Sequence, residues 1–255
     1  MDAKDAYRRR DVVKYYAATN ELMAAERRLF ERLRPEIEGK TVLDIGIGTG
    51  RTTPHLAALA GHYIGFDYSP EMVQRARELH PNLEIIECDA RDLSRFGQNR
   101  FDFIVFSFNG IDSVADADRQ IVLKEVFKAL RPGSAFMFSS HNLASDRTSA
   151  FSLKNLHWTL HPLQLLKSGR YYLQGILNHL RARRNEVRTP DYALLTERGT
   201  HYRYLNYYVL KALQVAQLER AGFKDVEIFK EDGGPTRAEN DDRDRWLYYL
   251  ARKPG

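Results

Sequence analysis

Three acids and a histidine stand where apolar runs of this chain stop. Asp44 opens the run Asp44-Ile-Gly-Ile-Gly-Thr-Gly50, directly behind Thr41-Val-Leu43. Asp67 closes His62-Tyr-Ile-Gly-Phe66, and Asp89 follows Leu83-Glu-Ile-Ile-Glu-Cys88. His141 lies in Ser139-Ser140-His141-Asn142, at the end of another apolar run. A glycine-rich turn lets a ligand approach backbone where a Cβ would block it. A carboxylate at a strand end can accept two hydrogen bonds from a ribose diol. A histidine nearby is a candidate base or acceptor-orienting group, or else a strand-end ring bonded to backbone. The set fits a nucleoside-containing cofactor held next to a reacting molecule.

The elements that must position these residues alternate between strand and helix patterns, which argues for a parallel α/β sheet. Such sheets bind ligands beyond the carboxyl ends of their strands. The glycines at 46, 48 and 50 do not follow the dinucleotide spacing G-x-G-x-x-G, whose third glycine is replaced by Arg51. The spelling D-x-G-x-G-x-G instead resembles motif I of the class I S-adenosylmethionine-dependent methyltransferases. Further landmarks follow in order. Tyr68-Ser-Pro-Glu-Met72 looks like a helix start, with Pro70 suited to the first turn. Asp89-Ala90 ends a third strand, Phe101–Phe108 is a fourth, and Leu130-Arg-Pro-Gly133 is a turn leading into a fifth. The resemblance covers roughly residues 40–142 and returns near 206–253. It implies S-adenosylmethionine as cofactor, held by Tyr16, Asp44, Gly46, Gly48, Gly50, Asp67, Tyr68, Met72, Asp89, Ala90, Phe106, Ser107 and Asn109. Asp67 would take the ribose and Asp89 the adenine edge. Asn109 would meet either the acceptor or the methionine part. The Asn/Asp-Pro-Pro-aromatic tetrad of nucleic-acid amine methyltransferases is absent, since Gly110-Ile111 follow Asn109.

Phe223–Phe229 and Arg245–Ala251 read as two late strands. In the family these form an antiparallel hairpin, with the last strand next to the fifth, which disfavours a nicotinamide oxidoreductase. The expected fold is therefore α/β: a seven-stranded, mostly parallel, doubly wound sheet with an antiparallel C-terminal hairpin, in one domain over 1–255. A lone cysteine, Cys88, excludes an intramolecular disulfide, and no Cys/His spacing points to a metal. No secretory leader is evident and no apolar run reaches the ~18 residues of a membrane span. A cytoplasmic enzyme, monomeric or homodimeric, is the expectation.

Two additions to the sheet are expected. Asp11 to Leu33 has helical spacing, and residues 1–36 would form a lid helix over the cofactor. Tyr15 and Tyr16 would then face the sulfonium, or merely anchor the helix. Residues 143–204 carry ten Lys or Arg against four acids, +6 where the whole chain is +5. That stretch is too long for a bare loop. With leucines recurring from Leu156 to Leu180, it is expected to form two or more helices capping the acceptor side. The leucines, with aromatics such as Trp158 and Tyr171, would form the cap's own core or line the pocket, alongside His157, His161, His179 and His201. Arg181-Ala-Arg-Arg184 would bind phosphate or carboxylate, or complement a helix end. The acceptor is expected to be a small molecule methylated on O or N: a sugar, a nucleotide-linked sugar or a natural product, anionic ones included. The alternatives are RNA, for which the basic insertion speaks, and a non-catalytic cofactor-binding protein.

Overall fold

The computed structural model describes Val13 and residues 21–255. The expected helix at Asp11 to Leu33, with Tyr15 and Tyr16, lies largely outside them. From residue 21 onward the elements begin with α1, Ala24–Arg32, followed by the single turn α2, Arg34–Ile37. The alternating units follow as β1 (Thr41–Ile45), α3 (Thr53–Ala57), β2 (His62–Asp67), α4 (Pro70–Leu79), β3 (Glu84–Glu87) and β4 (Phe101–Phe106). Then come α5 (Asp116–Ala129) and β5 (Leu130–Asn142). Ser69 caps α4 by accepting from the Met72 amide at 3.4 Å, and Pro70 fits the first turn because its missing N–H would be unbonded there anyway.

The insertion after β5 holds the 21-residue helix α6 (Pro162–Ala182), two 3-10 turns, and the strands β6 (Val187–Arg188) and β7 (Tyr192–Thr196). Where two or more helices were expected, the insertion has one long α-helix, two 3-10 turns and a strand pair. β8 (Leu205–Val209), α7 (Lys211–Arg220), β9 (Lys224–Phe229), β10 (Pro235–Thr236) and β11 (Trp246–Arg252) complete the chain.

The main sheet runs β10-β9-β11-β5-β4-β1-β2-β3. β1 to β5 are parallel, and β11 is antiparallel to both β5 and β9. Two-residue β10 is added to the seven expected strands. Arg131-Pro-Gly133, expected as a turn, lies inside β5, where the pairing with β4 shifts between Phe101 and Phe103. Past the end of β4, the last residues of β5 pair with β8 instead, His141 opposite Tyr208. β8 carries β7 antiparallel, so the insertion is stitched onto the carboxyl end of the sheet.

Strand residues alternate between two cores. Leu43, Ile45, Ile104, Phe136 and Phe138 pack with Val122 and Val126 of α5. Val42, Phe103, Val105, Ala135 and Met137 pack on the other face with Ala25, Leu29 and Phe30 of α1. Burial on both faces is what the near-continuous apolar strands require. It leaves the carboxyl ends of β1, β2, β4 and β5 as the polar rim of the molecule.

Candidate active site

Two cavities open along that rim and share Phe108. The first, about 370 Å³, lies over the glycine turn. Gly46, Gly48 and Gly50 all take positive φ (64°, 57° and 95°). At Gly46 a Cβ would stand 2.5 Å from the Phe106 ring, so only glycine lets the turn lie beneath that ring. Gly46→Ala is expected to cost about 1–2 kcal/mol in left-handed strain alone, read as a lower melting temperature together with weaker nucleoside binding.

Gly46, Gly48, Asp67, Tyr68, Met72, Asp89, Ala90, Phe106 and Ser107 line this cavity. Asp67 Oδ2 accepts from the Gly48 amide and Oδ1 from the Ser69 amide, both at 2.9 Å. These backbone donors fix the carboxylate at the cavity wall, where it can still accept from a ligand hydroxyl. Burial raises the Asp67 carboxyl to about 6, against the backbone hydrogen bonds from Ser69, Gly48 and Tyr68 that hold it down. The folded state then binds the proton more tightly than the unfolded chain. Ionising Asp67 therefore costs stability as pH rises from about 4 to about 6, the strain of keeping a charged acceptor ready.

Asp44 does not line the cavity. It is fully buried beneath the turn, accepting from the Thr52 hydroxyl at 2.7 Å and the Tyr63 hydroxyl at 2.9 Å, and burial raises it to about 7. It is thus a positioning residue. Gly50 likewise shapes the turn from outside the lining. Asp89 faces the cavity, but its carboxylate is gripped by Arg91 at 2.7 Å, and Arg91 also reaches Asp118 at 2.8 Å. Tyr16 lies outside the described residues.

Arg51, which occupies the place of the third dinucleotide glycine, is the residue that glycine spacing alone passes over. It lines the cavity, lies over the Phe108 ring at 4.9 Å and pairs with Glu26 of α1 at 2.5 Å. Both partners are buried, so the pair locks the N-terminal helix to the glycine turn.

The second cavity, about 740 Å³, lies under the insertion. Asn109 belongs here with His141, so of the two roles open to it the acceptor side is the one its position matches. Asn109 sits in the left-handed region (φ 58°), its amide donating to Ser139 Oγ at 2.8 Å, while its buried Oδ1 has no hydrogen-bond partner. Arg147, Arg198, Arg203 and Arg245 also line the chamber. Of the insertion's expected pocket residues, Tyr171 and His201 reach it, whereas Trp158, His157, His161 and His179 do not.

His141 is clamped between two carboxylates. Its Nδ1 is 2.7 Å from Asp112 and its Nε2 is 3.2 Å from Glu197. Burial works against the charged ring, but the hydrogen bonds to both acids prevail and raise it to about 10. At neutral pH both ring nitrogens are therefore donors, and no lone pair is left to take a proton. Glu197, held low against its burial by His141 and by the Tyr208 hydroxyl at 3.1 Å, faces the chamber. Asp112 is itself fully buried on Arg119 at 2.6 Å and Ser140 Oγ at 2.7 Å. Neither Asp112 nor Glu197 is flagged by local spacing, because each meets His141 only through the fold.

Among known proteins, the methyltransferase domain family matches residues 42–133. An uncharacterized methyltransferase of Synechocystis sp. is 32% identical over 98 residues, 38% of this chain and 45% of that protein. The demethylmenaquinone methyltransferase of Chlorobaculum tepidum is 31% identical over 107 residues, 40% of this chain and 43% of that one. The chain thus spans somewhat less than half the length of these relatives. The crystal structure of an S-adenosylmethionine-dependent methyltransferase from Mesorhizobium loti superposes with a TM-score of 0.59 at 22% identity, covering 90% of this chain and 98% of that one, a likeness of fold. Residues 42–133 thus match a methyltransferase domain, and the strand order and fold are like those of S-adenosylmethionine-dependent methyltransferases.

Proposed function

We propose that the protein transfers a methyl group from S-adenosylmethionine to an O or N atom of a small-molecule acceptor seated beneath the insertion. The observation that carries this is the junction of the two cavities at Phe108, one suited to a nucleoside and one lined by polar groups. The residues of the first fit the cofactor: Gly46 clears the space under Phe106, and Asp67 presents a carboxylate at the cavity wall. When bound, the cofactor supplies a methyl on a sulfonium, an already activated leaving group.

The chain's own contribution is then positioning and exclusion of water. Asp67 holds the ribose side, and Arg51 stiffens the wall between the cavities by lying over Phe108. Asn109 helps shape the acceptor side of the chamber. As an imidazolium, His141 orients the acceptor or an anionic group on it rather than removing a proton. Glu197, the carboxylate beside it, receives the proton of a hydroxyl acceptor, while an amine need only arrive neutral. The chamber's arginines favour an acceptor with a phosphate or carboxylate.

A radiolabelled methyl-transfer screen of sugars, nucleotide-linked sugars, phenols and amines tests this. Turnover restricted to such compounds supports it, and turnover on RNA alone rejects it. With the best acceptor and the cofactor held saturating at every pH, kcat/KM for the acceptor is expected to show no inflection near pH 6.5, the ordinary histidine value. A clear rise through pH 6.5 would make a neutral His141 the base and contradict the clamp.

A further inference from the structure

The long helix of the insertion is built inside out. Its protein-facing side carries Leu165, Ser168, Gly169, Tyr172, Gly175 and His179, all buried or half-buried. Its outer side carries Leu163, Leu166, Leu173, Leu177 and Leu180, exposed at 64, 71, 59, 47 and 36%. The expectation that the recurring leucines form the cap's core is therefore reversed: periodicity marks one face correctly, but that face looks outward. At 1.5 Å per residue the stripe is roughly 25 Å long. The segment leading into α6 adds exposed Phe151, Leu153, Trp158 and Leu160. A helix of an ordinary domain turns its leucines inward, and an apolar surface of this size marks an interaction site.

Charge selects the partner. Residues 147–185 contain seven Lys or Arg and no Asp or Glu. We propose that this face docks the protein on an anionic lipid bilayer. The leucines and Trp158 enter the interfacial layer, while Lys154, Lys167, Arg170, Arg181, Arg183 and Arg184 meet the headgroups. A second copy of the segment would bring seven more cations and no acid to meet them. Nucleic acid would satisfy the charges but leave the leucines in water. No helix among the described residues is long and apolar enough to cross a membrane, so α6 lies on the surface instead. Tyr171, on the same helix, lines the second cavity, so docking sets the acceptor chamber beside the headgroups.

The test is co-sedimentation of the full chain with phosphatidylcholine vesicles, with and without phosphatidylglycerol. Binding is expected to be at least about tenfold stronger with phosphatidylglycerol and to weaken with salt. Leu166→Glu/Leu173→Glu/Leu177→Glu should lower it at least about tenfold. Arg181→Gln/Arg183→Gln/Arg184→Gln should remove much of the phosphatidylglycerol preference. Circular dichroism and S-adenosylhomocysteine affinity should stay unchanged in both variants, since all six positions are exposed. No readout depends on methyl transfer, so failure here leaves the proposed activity untouched. Absence of lipid binding would overturn the proposal, as would binding indifferent to the leucine changes. A solution dimer that those changes split, with no vesicle binding, would give the face to a second copy. RNA binding without vesicle binding would give it to nucleic acid.

Discussion

Asp67→Ala is expected to weaken S-adenosylhomocysteine binding about 100-fold, measured by calorimetry at pH 7.5. The proposed ribose contact consists of two hydrogen bonds to a charged acceptor, each contributing about 1.5–3 kcal/mol. Losing two at the low end is about 3 kcal/mol, or roughly two decades of affinity. Asp67 also ties the Gly48 and Ser69 amides, so alanine loosens the turn as well. Asp67→Asn separates the effects: it keeps one acceptor oxygen and should bind between wild type and alanine. Because burial raises Asp67 to about 6, wild-type affinity should fall as pH drops through about 6, when the carboxyl takes a proton and loses an acceptor. Affinity unchanged in Asp67→Ala would place the ribose elsewhere.

The second large effect is on stability. Asp112→Ala should lower unfolding free energy by about 3–5 kcal/mol, the usual cost of removing one partner from a buried ion pair. Asp112 accepts from Arg119 at 2.6 Å and from the His141 amide and Nδ1 at 2.7 Å each, and neither it nor Arg119 has exposed surface. Removal leaves the buried Arg119 charge without a carboxylate, held by the neutral Ile111 carbonyl, Ser140 and Gln214 and by the rings of Phe138 and Tyr207 at 6.0 and 4.7 Å. The melting temperature of a domain this size should drop by about 10 °C. The clamp also carries a pH signature. A histidine raised from 6.5 to about 10 lends stability that is fully present below pH 6.5 and lost as pH rises to about 10. In Asp112→Ala that loss should move to lower pH, and the His141 proton resonances should titrate well below their wild-type midpoint.

The sequence made the cofactor side legible because its chemistry is local. Strand, glycine turn and strand-end acid occur within a few residues, so Asp44, Gly46, Gly48 and Asp67 could be set on their elements by spacing, and only the resemblance to the methyltransferase motif tied them to a cofactor. What spacing could not say is which of these touch ligand: Asp44 ends beneath the turn, and Asp89 is engaged by Arg91. The acceptor side was illegible for a different reason. Asp112, His141 and Glu197 belong to separate segments and meet only because β8 extends the sheet beside the end of β5. A histidine read in isolation looks like a base, and only the two carboxylates turn it into a fixed cation. The leucines of α6 show a further limit: a period of 3.6 tells that residues share a face, not whether the face looks to core or surface.

The central claim is that the cavity over the glycine turn binds an S-adenosyl nucleoside. Calorimetry of the full chain against S-adenosylhomocysteine and, separately, NAD tests it most directly. One-to-one binding of S-adenosylhomocysteine, weakened by Asp67→Ala, with no heat from NAD, is the expected result. Binding of NAD alone would contradict it.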